Sequence, residues 1–93
     1  LAYFCLIFKT NVMTVSVEIS YYPLSGNFIP PIRNFIDKIN QYEGLKVVTN
    51  GMSTQIFGEY SLVMNALTTE IRKAMELPHS VFVMKIVNAD LSD

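Results

Sequence analysis

The sequence is short of what metal sites and catalytic centres are built from. It holds one cysteine, Cys5, and one histidine, His79. A lone cysteine cannot close a disulfide within the chain. Together the two residues fall short of the roughly four ligands that structural zinc requires. A reducing, cytoplasmic setting is the matching expectation. Charge is sparse as well, at 16% of residues and a net −1. The cations Lys9, Arg33, Lys38, Lys46, Arg72, Lys73 and Lys85 are scattered along the chain. Displacing counterions from a nucleic acid takes clustered cations, so no nucleic-acid partner is expected. The apolar run over residues 1–8 is far below the roughly 20 residues of a membrane span. It also lacks the basic stretch and small-residue cleavage site of a secretory signal. No membrane partner is expected. Phosphate-loop, dinucleotide and nucleophile-elbow motifs are missing, as are internal repeats and low-complexity stretches.

What is present is apolar and periodic. Ninety-three residues make one domain, and 51% of them are hydrophobic. A domain of this size buries only about 60% of the surface its unfolded chain exposes. The apolar excess therefore points to a surface covered by a second copy. The self-consistent domain spans residues 14–88. Residues 1–13 read as an N-terminal extension that fits the rest poorly: an extra strand, a frayed tail, or sequence ahead of a start at Met13.

Residues 14–22 alternate, with Val15, Val17, Ile19 and Tyr21 on one face, which predicts a strand. Pro23 ends it, and Ser25, Gly26 and Asn27 form a turn cluster. Residues 30–42 predict a helix with prolines in its first turn and a stripe of Ile32, Phe35, Ile36 and Ile39. Gly44 is its left-handed stop. Residues 45–50 and 53–58 predict two strands joined at Asn50-Gly51, a tight-turn signal, with a loop extending through Met52 as the alternative. Residues 59–77 predict the longest helix, apolar along one side except for Glu70, with Glu59 at its positive end. Residues 80–87 predict a fourth strand with Phe82, Met84 and Ile86 on its helix-facing side, and residues 88–93 a loose polar tail.

The order βαββαβ predicts a ferredoxin-like α+β sandwich: a four-stranded antiparallel sheet, two helices on one face, and the first strand between the third and fourth. The other sheet face is then open. It carries Ser16, Glu18, Ser20, Ser53, Gln55, Phe57, Val83 and Lys85. An ordinary solvated face explains the polar members, with Glu18 and Lys85 as a cross-strand pair. It explains Phe57, Val81 and Val83 poorly. A second copy stacked on this face would cover them and leave the polar groups lining an enclosed slot.

Catalytic chemistry is thin. Cys5 lies in the N-terminal extension, His79 has no nucleophile near it in sequence, and Glu18 has no partner carboxylate. Glu59 suits a helix start better than acid catalysis. Residues 49–55 stand out instead. Thr49, Asn50, Gly51, Met52, Ser53, Thr54 and Gln55 supply more hydrogen-bonding groups than a hairpin turn needs. They suit the ring nitrogens and amine of a small heterocycle.

The segments VSVEISYYPL, FIPPIRNFIDKIN, GLKVVTNGMSTQIFGEYSLVMNAL and SVFVMKI together resemble the YkoF-like thiamine-binding family over about residues 14–87. The most specific parts are VVTNGMSTQIFGEY and the S-x-YPL end of the first strand. The resemblance implies a ferredoxin-like fold and binding of thiamine or its hydroxymethylpyrimidine part without catalysis. It also implies dimers or tetramers formed through the sheets. Thr49, Asn50, Gly51, Met52, Ser53 and Thr54 match the family signature, and Glu18 and Ser20 match its first strand. No cofactor is implied beyond such a ligand. The alternative is a structural or regulatory oligomerisation module in which the open face is only an interface.

Overall fold

The computed structural model describes residues 12–24 and 26–92. Cys5 and most of the expected N-terminal extension lie outside the described residues. The elements are β1 (Thr14–Pro23), α1 (Ile29–Asn40), β2 (Lys46–Thr49), β3 (Thr54–Glu59), α2 (Tyr60–Ala74) and β4 (Ser80–Val87). All strand pairs are antiparallel, in the order β2-β3-β1-β4. This is the ferredoxin-like α+β arrangement with β1 in the middle of the sheet.

The periodicities dictate the core. From β1, Val15, Val17 and Ile19 point to the helices and are buried with Ile56 of β3, Phe35 and Ile39 of α1, and Val63, Ala66 and Leu67 of α2. Burying each larger aliphatic or aromatic side chain contributes about 1.5–3 kcal/mol. Prolines in the first turn of α1 cost nothing there, because those positions have no helical acceptor. Glu59 caps α2, its carboxylate accepting from the N–H groups of Ser61 at 3.1 Å and Leu62 at 3.3 Å. Gly44 adopts φ +86°, a conformation that favours glycine. Glu70 breaks the apolar side of α2, yet it is buried and satisfied. The Tyr42 hydroxyl donates to it at 2.7 Å, and that bond to a carboxylate raises the Tyr42 pKa above its ordinary value.

Three expectations are corrected. The tail is not loose. Ser16 Oγ donates to the Ala89 carbonyl at 2.6 Å and accepts from Leu91 N–H at 2.9 Å, while Lys46 Nζ donates to the Ser92 carbonyl at 2.9 Å. The tail thus runs from β4 across β1 to β2 on the open face. It explains why Ser16 and Phe57, placed on that face by alternation, are buried. Second, Met84 and Ile86 of β4 point to the helix side as expected but stay exposed, because the two helices sit over β1 and β3 and leave the edge strand overhanging. Third, the hairpin strands stop at Thr49 and Thr54 rather than at Asn50 and Ser53, and the loop takes the longer form that includes Met52. Thr49 pairs with Thr54, so residues 50–53 form a four-residue loop. The Asn50 side chain organises it, Oδ1 accepting from Met52 N–H at 2.8 Å and Ser53 N–H at 3.1 Å. Gly51 has no positive φ.

Candidate functional site

A mismatch in strand length creates the site. β1 has ten residues and β3 six. Pairing of β1 with β3 stops at Ile19 opposite Thr54, whereas pairing with β4 continues to Pro23 opposite Ser80. Residues 20–23 therefore have a strand on one side and a gap on the other.

Backbone alternation decides which groups face that gap. The Met13 carbonyl points to the β3 side, where it accepts from Tyr60 N–H at 2.7 Å. The Leu24 N–H points to the β4 side, where it donates to the His79 carbonyl at 3.0 Å. The register is unbroken between them, so odd-numbered residues face β3. Tyr21 therefore turns both its N–H and its C=O into the gap. Pro23 turns only a carbonyl there, since proline has no N–H.

The gap opens into a cavity of about 420 Å³ on the helix side of the sheet. That falls within the usual range of small-ligand pockets, about 300–1,000 Å³. The outer half of α1 closes one wall with Ile32, Phe35 and Ile36, Phe28 stands at the rim, and the 50–53 loop closes the other side. Tyr21 stacks on Phe82 with ring centroids 4.3 Å apart and meets Phe35 edge-on at 5.7 Å. Offset and edge-on aromatic contacts of this kind contribute about 0.5–1.5 kcal/mol beyond area burial, and they hold the wall in place. The loop is fastened as well. Ser20 Oγ reaches the Met52 carbonyl at 3.4 Å, and the Thr49 and Thr54 hydroxyls are 3.1 Å apart.

Of the residues singled out in sequence, Ser20, Thr49, Asn50, Gly51, Met52, Ser53 and Thr54 all line this cavity. Glu18 and Gln55 do not. They line a shallower depression on the open face, about 270 Å³, with Ser16, Phe57, Lys85 and Leu91. The residues singled out in sequence thus line two separate depressions. Ser53 joins the two, lining the cavity while its Oγ donates to Glu18 Oε2 at 3.0 Å. Lys85 Nζ lies 3.1 Å from Glu18 Oε1. The hydrogen bond from Lys85, then that from Ser53, hold the Glu18 carboxyl below its ordinary pKa. His79 is exposed and outside the cavity lining, with φ 63°. Sequence reasoning missed the main chain of Tyr21 and the α1 wall. The one available signal was the first strand outrunning the third.

Among the described residues, no group of histidine, cysteine and carboxylate side chains is arranged to hold a metal ion. No described helix is long and apolar enough to cross a membrane. Against known proteins, no family model and no curated sequence matches the chain. Solved structures do. A hypothetical protein from Methanocaldococcus jannascii superposes with a TM-score of 0.73 at 23% identity, covering 87% of this chain and 86% of its own. A protein from Thermotoga maritima, named for thiamine biosynthesis or salvage, gives a TM-score of 0.70 at 22% identity, covering 78% and 81%. A domain of unknown function, DUF77, from Bacillus cereus gives 0.62 at 15% identity, covering 86% and 80%. What these chains share with this one is the ferredoxin-like fold.

Proposed function

We propose that this protein binds thiamine or its hydroxymethylpyrimidine part without catalysing a reaction, as a YkoF-like protein, with the ring seated in the cavity beside β1. The observation that carries the reading is the unpaired edge of β1 at Tyr21, facing the hydroxyl- and amide-bearing 49–54 segment. An aminopyrimidine presents a ring acceptor next to an amine donor. A strand residue with a free N–H and C=O is the complementary pair. Around it the cavity is mostly apolar and aromatic, as pockets for flat rings are. The resemblance of VVTNGMSTQIFGEY to the thiamine-binding family and the name of the Thermotoga maritima neighbour lend support. In this reading Ser20, Thr49, Asn50, Gly51, Met52, Ser53 and Thr54 contact or frame the ligand. Glu18 acts through Ser53, and Gln55 supports Glu18 from the paired strand.

The working form in this proposal is a homo-oligomer in the cytoplasm. Val81, Val83 and Val87 are 41%, 58% and 40% exposed on the open face. Next to them Glu18 and Lys85 form a charge pair that a two-fold axis can set against its own copy. That face also suits the second reading, a pure oligomerisation module. Calorimetry with thiamine and with hydroxymethylpyrimidine separates the two. Saturable heat that is weakened in Met52→Ala supports binding. A folded, oligomeric protein giving no heat at millimolar ligand leaves only the module.

A further inference from the structure

We propose that the cavity accepts its ligand only in the unphosphorylated form. This deepens the reading of the cavity as a heterocycle site and rests on it. Among the described residues, every side chain lining the cavity is uncharged: no lysine, arginine, histidine or carboxylate reaches it. Its polar groups are neutral, and several of them already bond to one another or to the loop. Asn50 Oδ1 accepts two loop N–H groups, the Thr49 and Thr54 hydroxyls face each other, and Ser53 Oγ donates to Glu18. A phosphate monoester carries close to two negative charges and three strong acceptor oxygens. It is held by cations or by several convergent N–H groups. Here, among the described residues, it meets no cation, only neutral donors set between aromatic and aliphatic walls.

The surrounding charges do not compensate. The cation tied to the cavity by a chain of contacts is Lys85, and it is engaged at 3.1 Å by Glu18. The group touching the cavity side of that pair is the carboxylate, through Ser53, and it repels an anion. An unphosphorylated ligand meets no such obstacle. The alcohol of hydroxymethylpyrimidine is neutral, and a thiazolium cation can rest on the exposed Tyr22 and Phe28 rings at the rim, which favour positive charge.

The test is calorimetry on the full chain with hydroxymethylpyrimidine and its phosphate monoester, and with thiamine and its monophosphate. Each phosphorylated probe is expected to bind about a hundredfold more weakly than its parent, the scale set by desolvating an uncompensated charge. Phosphorylated probes that bind as tightly as their parents overturn the inference while leaving the heterocycle site standing. Failure of both parents to bind overturns the site itself. A second variant examines the cause. Leu24 lines the cavity and is 62% exposed, so Leu24→Lys adds a cation at the rim with little risk to the fold. It should recover about tenfold of the lost affinity for the phosphorylated probes alone, a gain typical of a charged hydrogen bond. If Leu24→Lys leaves the ratio unchanged, charge is not what excludes them.

Discussion

The two depressions of this molecule lie on opposite faces of one sheet, and they differ in almost every physical respect. The cavity beside Tyr21 is uncharged, walled by a helix and a braced loop, and lined by main chain that the sheet leaves unpaired. The depression around Glu18 is shallower, contains an ion pair open to water, and is bordered by the chain's own tail. Hydrogen bonds inside an apolar enclosure are strong and directional, which suits a small flat ligand. Exposed charge pairs contribute little to stability but steer the approach of another protein surface. In the proposed reading the chain separates a place for a small molecule from a place for a copy of itself, and Ser53 is the side chain that touches both depressions.

The largest disturbance removes what the two regions share. Ile56 is fully buried behind β3 and supports the sheet under both depressions. Ile56→Ala should cost about 2–5 kcal/mol. Thermal unfolding will show this as a large drop in Tm with loss of both ligand binding and self-association. If one function survives intact, the two regions do not depend on a common scaffold.

How much of this was legible in the sequence follows from what periodicity encodes. Alternation in β1 reveals that Val15, Val17 and Ile19 share a face, and it does so without any tertiary knowledge. The stripe on α1 and the cap at Glu59 are equally local. Alternation cannot reveal which element covers a face. Met84 and Ile86 read as core and are exposed because the helices stop short of β4. Phe57 and Ser16 read as open and are buried because a tail that lies 73–75 residues from Ser16 in sequence folds over them. The residues of the 49–54 segment were found from their composition, and their placement relative to Glu18 was not, since Ser53 lies in the loop and Glu18 on β1, 35 residues apart in sequence. The Asn-Gly pair signalled the turn and left its length open, which the Asn50 side chain decides by closing a four-residue loop.

A middle-sized effect isolates the open face. Ser16→Ala removes the two hydrogen bonds by which Ser16 holds the tail, leaving that from Lys46, at a cost of about 1–2 kcal/mol. Hydrogen exchange at Leu91 N–H should speed up sharply while amides on the 50–53 loop keep their protection. Faster exchange on both would erase the distinction between the two regions.

A smaller effect concerns the turn where β1 leaves the cavity. His79 holds a left-handed φ of 63°, and its carbonyl anchors Leu24 N–H. His79→Gly relieves a strain of about 1 kcal/mol and should raise Tm by a few degrees without altering ligand affinity. A fall in Tm would show that the histidine side chain supports the turn.

The smallest effect is one of pH. Glu18 titrates below its ordinary value in the folded chain because Lys85 and Ser53 bond to the carboxylate. Its contribution is therefore complete above the unfolded pKa of about 4.3 and disappears as pH falls through the lower folded value. Glu18→Gln should flatten that acid part of the stability profile and leave the neutral region nearly unchanged. It should also weaken ligand binding modestly, since Ser53 loses a charged acceptor. An acid profile identical to the parent's would remove the ion pair from the account.

The proline that ends β1 carries a consequence of another kind. An unpaired stretch of central strand is an invitation to any passing peptide, which could zip into the gap as a fifth strand and lead to aggregation. Zipping needs successive rungs. On this side of β1 the rungs beyond Ile19 fall at Tyr21 and Pro23, and Pro23 has no N–H to give. One complete rung remains. In the proposed reading that is enough to hold the edge of a single ring, and it is too little to recruit a chain, so the residue that stops the strand also closes the gap to peptides.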